Sequence, residues 1–537
     1  MARRESFYPL AMYSAAKSVM NTSSIGVKKG RHGIAGGQLK FLNNDQIRRI
    51  DHAAKEILWR TGVKLPHRDA LEILDDSGAI VDHKKERAWI PPYLVDEAIR
   101  KTPKHFTYAG RDPKKAIRLD AETVYFVMGI GPYVVEPDGT PRKATLKDMQ
   151  DCYRVLDACD NVDVTGFGGG RGGPTSPEEE IALPLAVRRV RRYLRMLDLT
   201  EKPLDITGTE VPDREEQEAD AGRAALDLIN FEAACRGGPD ELRKLPMSFA
   251  MNEAASPLMY LPRNIETSMV FARHGLPIYV GSGPMTNATG PATLAGTLAL
   301  WLAETMCPLV LGAMAAIPEH RPPALWMTFG GHFDQLALTG PEQSSPEGAL
   351  TQAACAQIAH YYGFPIRGII STQSKLPDAQ AGYETAVALL VSAMAGVNYN
   401  TSIGVIGPGE IGMSLEKIVL DDELVGYVKR VMGGITVTDE TLAVEVIDEV
   451  GPGGSFLAHP HTRKWFRQEQ YFPRVFDRRK YEDWVRRGRK DAVQRARERV
   501  QEILRDYWPE PLPPEVRKRI MDYVRSVEDR ESHKPQG

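Results

Sequence analysis

Cysteine is scarce in this chain of 537 residues. The five present, Cys152, Cys159, Cys235, Cys307 and Cys355, are scattered and form no Cys-x-x-Cys pair. That spacing excludes a disulfide framework and a zinc ribbon, and reduced, buried thiols in a cytoplasm fit it. Long apolar runs are also missing. None reaches the roughly 18 residues that a membrane-crossing helix needs. Positive charge is not in excess: the net charge is −3, whereas phosphate binding asks for a basic domain, so a nucleic-acid binder is not expected. Arg3-Arg4 is the only export-like feature, and Glu5, Tyr13, Ser14 and Lys17 break the apolar stretch that would have to follow it.

What is there reads as four stretches. Residues 1–40 mix Ser, Gly and basic residues without periodicity and read as an extended arm. Residues 41–160 read as an α+β cap. Asn44 caps a helix with apolar positions Ile47, Ile50, Ala54, Ile57 and Leu58, and Gly62 stops it. A second helix over Ala70–Leu74 and a third from Pro92 through Ile99 follow. Strands are expected at Thr123–Val127 and Tyr133–Glu136, with Pro137-Asp138-Gly139 as a turn.

From residue 161 to 430 short apolar segments alternate with helical patterns. The segments are Val162–Phe167, Leu204–Thr207, Pro246–Met251, Pro277–Gly281, Pro308–Gly312, Leu325–Phe329, Ile366–Ser371 and Tyr399–Val405. Alternation of this kind implies parallel strands with crossovers, and eight such units over about 250 residues fit a closed (β/α)8 barrel, the TIM barrel. The fifth connection, Ala313–Ala324, holds Pro318, Pro322 and Pro323 and leaves no room for a helix. Residues 431–537 read as a C-terminal extension: a Gly451-Pro452-Gly453-Gly454 loop, then a helix with Val493, Ala496, Val500, Ile503, Leu504 and Tyr507 on one stripe.

Barrel enzymes place their chemistry at the carboxyl ends of the strands. There the chain offers Gly168–Gly170, Thr209-Glu210, Asn252-Glu253, Ser282-Gly283, Gly330-Gly331-His332 and Thr372–Lys375. Glu304, His332 and Gln373 are the expected catalytic groups. Tyr133, Trp326 and Phe329 offer ring faces, which attract cations that cannot hydrogen-bond. Asn252, Lys375, Asp378, Gln380 and Glu384 complete the expected substrate-binding set, with Gln380 and Glu384 on one helix face. His459-Pro460-His461 invites a metal reading, but no cluster of acidic residues with ligand spacing accompanies it, and no metal is expected. Arg188, Arg189, Arg191 and Arg192 read as a solvated helix face.

Several segments together resemble the trimethylamine methyltransferase family: Gly281-Ser-Gly-Pro-Met285 through Gly296 and on to Ala303-Glu304, then Ser374-Lys-Leu-Pro-Asp378-Ala-Gln380-Ala-Gly-Tyr-Glu384, and Gly451-Pro-Gly-Gly-Ser-Phe-Leu457 with His461-Thr462. Thr61-Gly62-Val63, Ile90-Pro91, Thr145 and Asp148 add to it. The resemblance covers about residues 40–480. It implies a TIM barrel that moves a methyl group from a methylated amine to the cobalt of a corrinoid (cobalamin) carried by a separate protein. Archaeal trimethylamine enzymes of the family carry pyrrolysine, and this chain has standard residues only. The resemblance therefore implies a quaternary amine such as glycine betaine, carnitine or proline betaine, and a cytoplasmic homo-oligomer. A sulfonium or methyl-sulfur donor, a barrel hydrolase using His459 and His461, and a non-catalytic betaine-binding protein stay open as alternatives.

Overall fold

The computed structural model describes residues 33–166, 180, 183–206, 221–316, 324–329, 332–333, 341–342, 344–407 and 412–533. The side chains of 329, 332–333 and 341–342 lie outside the description. The chain divides into two units, one of residues 32–433 with 475–537, the other of 434–474 with 1–31.

The larger unit is a mixed α/β fold around a parallel sheet. Eight of its strands are β1 (Thr123–Met128), β2 (Val164–Gly166), β3 (Leu204–Asp205), β4 (Ala250–Ala255), β5 (Ile278–Ser282), β6 (Leu325–Phe329), β7 (Ile366–Ile369) and β8 (Tyr399–Ile403). They lie side by side in the order β3-β2-β1-β8-β7-β6-β5-β4, and each of those pairs runs parallel. Past the ladder's ends, the amide of Phe249 beside β4 donates to the carbonyl of Ile206 beside β3, at 3.3 Å. β4 also turns back into Met259–Tyr260, which joins a small antiparallel extension of Val63–Lys64, Arg87–Trp89 and Ile80–Asp82.

Its longer helices in chain order, leaving aside the short Pro239–Lys244, are α1 (Asn44–Arg60), α2 (Arg68–Asp76), α3 (Pro92–Lys101), α4 (Leu146–Ala158), α5 (Leu185–Leu199), α6 (Ala221–Arg236), α7 (Pro262–Arg273), α8 (Leu294–Met314), α9 (Pro346–Tyr361), α10 (Ala379–Ala395) and α11 (Leu415–Met432). In the smaller unit stand α12 (Asp439–Leu442), α13 (Val444–Val450) and α14 (Pro460–Glu469). Back in the larger unit, after the short helix Tyr481–Arg486, stand α15 (Ala492–Asp506) and α16 (Pro514–Ser532). Asn43, one residue earlier than expected, caps α1 through a reciprocal box with Gln46.

Two strand expectations are corrected. Pro308–Gly312 is not a strand but the last turns of α8, which carries Pro308 inside it. Leu294–Met314 is apolar on every side because every side is covered, so its periodicity cannot separate helix from strand. The eighth parallel strand is instead β1, expected in the cap and found between β2 and β8. The irregular fifth connection disappears with the false strand, since α8 is the crossover between β5 and β6. α8 is also long and apolar enough to cross a membrane, against the expectation from run lengths, yet 83% of its most apolar window is buried inside the protein.

Alternate residues of the strands sort into two cores, as the period of two requires. Val124, Phe126, Met128, Ile278, Val280, Leu325 and Met327 join the large core that includes the helices. Tyr125, Val127, Phe249, Tyr279, Trp326 and Tyr399 form a second core on the opposite face, joined by the hairpin Phe106–Tyr108/Ile117–Leu119. Trp326 stands edge-on to Phe249, Tyr399 and Tyr279 at centroid distances of 5.0, 5.1 and 5.5 Å.

The C-terminal helices are packed. Ala496, Val500 and Ile503 of α15 are buried, as the stripe predicts. The arginine run on α5 is not solvated. Arg189 and Arg192 are buried, and Arg191 and Arg195 pair with Glu528 and Glu180, tying α5 to α16.

Candidate functional site

A charged side chain inside a strand of a covered sheet is costly unless it has a partner or a task. The ring-bearing face of this sheet carries three. Asp205 ends β3, Glu253 follows Phe249 and Met251 on the same face of β4, and Arg367 sits second in β7, between Ile366 and Gly368. A guanidinium nitrogen of Arg367 lies 3.2 Å from Asp205 Oδ2, and its carbon is 5.3 Å from the centre of the Tyr279 ring. Burial alone would lower the Arg367 pKa. Asp205, with Tyr279, Glu253 and Tyr399, more than offsets that and holds the guanidinium firmly charged.

Two features make this trio a candidate site. Arg367 Nε and Asp205 Oδ1 are buried and make no hydrogen bond among the described residues, a state that calls for an explanation. Arg367 also keeps 16% of its side chain exposed, while Trp326 and Tyr399 beside it are fully buried. The rings and the Phe106–Tyr108/Ile117–Leu119 hairpin pack together on the face that carries Arg367.

The rim is built by the segments that follow β1, β7 and β8. Tyr133–Val135 pairs with Gly412–Met413 and with Pro141–Lys143, and the Gly407 amide donates to the Ser374 carbonyl at 2.8 Å. Tyr133 is half-buried in this small sheet. Glu384 shapes the β7 loop by accepting from Thr372 Oγ1 at 2.5 Å, the Gln373 amide at 2.9 Å and Gln380 Nε2 at 2.8 Å. The shared face of Gln380 and Glu384 is thus realised. Asp378 caps α10, accepting from the Ala381 amide and Ser374 Oγ, and the Ala381 bond heads the causes that hold its carboxyl below the usual range. Gln373 is half-buried and Lys375 exposed.

Three expected site residues are engaged by the chain itself. Asn252 points away from the rings, and its amide donates to Ser268 Oγ on α7 at 2.9 Å. Glu304, wholly buried on α8, accepts from Ser256 Oγ and the Leu258 amide, both at 2.7 Å, and so locks the turn after β4. Burial pushes its carboxyl up, against the pull of Ser282, Leu258 and Ser256. Trp326 is the centre of the ring core, with no face open to a ligand. These are corrections, and the first has a simple cause: at a strand end the period of two aims Glu253 inward and Asn252 outward. The side chains of Phe329 and His332 lie outside the described residues, as do Gly168–Gly170, Thr209-Glu210 and Gly330-Gly331. Asp205 and Arg367 were missed, although a lone charge in Leu204-Asp205 and in Ile366-Arg367-Gly368-Ile369 is the signal that finds them.

His459 has a structural task. Its Nδ1 accepts from the His461 amide at the start of α14, and its Nε2 lies 3.1 Å from Glu449. The two histidines line an open cleft of about 340 Å³ with Asp439, Glu440, Glu445 and Lys464. Among the described residues no group of three or more His, Cys, Asp or Glu side chains is arranged to hold a metal.

The family model described as trimethylamine methyltransferase (MTTB) matches residues 17–531. Glycine betaine methyltransferase of Desulfitobacterium hafniense (strain Y51) is 30% identical, covering 90% of this chain and 96% of that protein. Trimethylamine methyltransferase MttB of Desulfitobacterium hafniense (strain DSM 10664 / DCB-2) is 32% identical, covering 94% and 97%. Among solved structures, the hydroxylamine complex of MtmB aligns with a TM-score of 0.47 at 13% identity, over 86% of this chain and 88% of that one.

Proposed function

Because the chain belongs to the trimethylamine methyltransferase family and is a methyltransferase, we propose that it moves a methyl group from a quaternary amine of the glycine betaine type to the Co(I) of a separate corrinoid protein. The observation that carries the choice of donor is the Asp205–Arg367–Glu253 trio above the rings. A quaternary ammonium has no proton to donate and is held by negative field and by ring faces. Asp205 and Glu253 bring carboxylates to Arg367, and Arg367, whose Nε makes no hydrogen bond among the described residues, is placed to take the donor's own carboxylate.

The reaction asks little more of the chain. Attack on the methyl carbon forms a carbon–cobalt bond and breaks a carbon–nitrogen bond, and the electron pair stays on nitrogen, which leaves as a neutral tertiary amine. No proton moves, so Glu304 and His332 are not required as acids. The chain's work is to orient the methyl group and to exclude water. The names of the relatives divide between glycine betaine and trimethylamine at similar identity, so the quaternary reading rests on the trio and on the chain's standard residues.

We also take the parallel sheet to close as a (β/α)8 barrel. Two observations support this: the Phe249–Ile206 hydrogen bond between its end strands, and a face lined by the sheet's own rings and one hairpin. The five unpaired, buried cysteines are compatible with a reducing cytoplasm.

The test is a donor panel with a Co(I) corrinoid protein, followed by loss of the Co(I) absorbance: glycine betaine, carnitine, choline, trimethylamine and a sulfonium carboxylate. Transfer from the carboxylate-bearing quaternary amines is expected. Turnover confined to the sulfonium, or to trimethylamine, would overturn the reading.

A further inference from the structure

Residues opposite one another in adjacent strands of a sheet share a face and stand about 5 Å apart. The register around Arg367 therefore names its neighbours. Thr328 of β6 lies opposite it on one side and Tyr399 of β8 on the other. Thr328 lies in turn opposite Gly281 of β5, and Gly281 opposite Glu253 of β4. The row thus reads Glu253, Gly281, Thr328, Arg367, Tyr399, on the face that carries the rings. Thr328 is wholly buried, and its Oγ1 makes no hydrogen bond among the described residues. Buried hydroxyls are normally paired, so an orphan beside a charged group calls for an explanation. The rest of Thr328 has a task in the fold. Its carbonyl accepts from Trp301 Nε1 at 2.7 Å. Its methyl group covers Gly281, where a Cβ would stand 2.7 Å from Thr328 Cγ2. Only the hydroxyl is left over.

We propose that the Thr328 hydroxyl binds the carboxylate of the methyl donor together with Arg367, and so sets the preference for carboxylate-bearing quaternary amines. A carboxylate only accepts hydrogen bonds, and its two oxygens take several at once. One guanidinium nitrogen of Arg367 already faces Asp205 at 3.2 Å, while Nε makes no hydrogen bond among the described residues. A hydroxyl on the next strand supplies a second hydrogen bond, strengthened by the charge of the ligand, without adding a charge of its own. Tyr399, the other neighbour, suits the task less well. Its hydroxyl is also unpaired among the described residues, but its ring is fixed edge-on against Trp326 in the ring core. The proposal rests on the methyl-donor class inferred above and names the residue that reads it.

The experiment is titration calorimetry of the full chain with glycine betaine and with choline, beside the donor panel. Thr328→Val keeps the shape of the side chain and removes the hydroxyl. It is expected to weaken glycine betaine about tenfold or more, the effect of one hydrogen bond to a charged group. Choline should lose about threefold at most, because it brings no charged acceptor. The Tm of the variant should stay or rise, since a hydroxyl without a partner leaves the core. Thr328→Ser, which keeps the hydroxyl, should bind glycine betaine like the wild type. A valine variant that binds glycine betaine as well as the wild type, or that loses both ligands equally, would overturn the proposal. So would a lower Tm, which would mean that the hydroxyl holds a structural water, or a serine variant as weak as the valine one. A wild type that neither binds nor demethylates any carboxylate-bearing amine would overturn the methyl-donor class itself, and this proposal with it.

Discussion

Glu304 and Arg367 are both charged groups set inside the larger unit, and they are treated in opposite ways. Glu304 is saturated: a hydroxyl and an amide from the Ser256–Leu258 turn occupy its oxygens, and nothing reaches it from solvent. Arg367 holds one carboxylate, makes no hydrogen bond through Nε among the described residues and keeps part of its side chain open. The contrast separates a group that the chain consumes for its own geometry from one that the proposed reaction can use.

The largest effect is expected at the open group. Arg367→Gln should lower kcat/KM for carboxylate-bearing donors about 100-fold or more, through loss of a buried charge partner, with a much smaller loss for choline. The same change should cost about 3–5 kcal/mol of stability in urea unfolding, because Asp205 is left buried without its counter-charge. Adding Asp205→Asn should return most of the stability and none of the discrimination. If choline and glycine betaine suffer equally, Arg367 belongs with Glu304 and the contrast breaks.

Glu304→Ala should reverse the pattern. Two donors lose their acceptor, at about 1–3 kcal/mol each, so calorimetry should show a marked fall in Tm. Donor preference in the folded enzyme should not move.

Glu232 sharpens the contrast through pH. It is buried on α6 with Ser248 Oγ 2.9 Å away, and burial pushes its carboxyl up to about 8. The folded chain keeps a proton that the unfolded chain releases near its ordinary value of 4.5. Stability from this group is therefore fully present below about pH 4.5, falls as pH rises, and is lost through pH 8. Glu232→Gln should flatten Tm against pH between pH 5 and 9.

The smallest effect is expected at the rim. Glu384→Gln should change stability by about 1 kcal/mol and speed hydrogen exchange at the Gln373 amide, its backbone partner.

Seven of the eight segments expected as barrel strands are parallel strands of the sheet, the eighth parallel strand was expected in the cap, and one expected strand, Pro308–Gly312, is helix. That helix carries no strand-or-helix signal in its sequence. A stretch covered on all sides, like Cys307–Gly312, has no periodicity to read, and only the packing of α1 and α3 against α8 decides its form. The site was less legible. The rim segment Ser371–Glu384 was found by its density of polar residues, and the Gln380–Glu384 pair by helical spacing. Asp205 and Arg367 lie in different crossover units 162 residues apart, and no local pattern joins them. Glu253 and Asn252 differ only in which way the strand aims them, which depends on register.

The long apolar helix α8 has a consequence for how the chain is made. Its covers α1 and α3 precede it, and about 190 residues of synthesis separate α3 from α8. At 5–20 residues per second the apolar stripes of α1 and α3 wait roughly 10–40 s on the ribosome before α8 emerges, and α8 then emerges onto a surface already waiting for it. The part of a nascent chain most exposed to holding chaperones should thus be its first hundred residues, and protease protection of α1 should rise abruptly in stalled chains once residue 314 has left the tunnel.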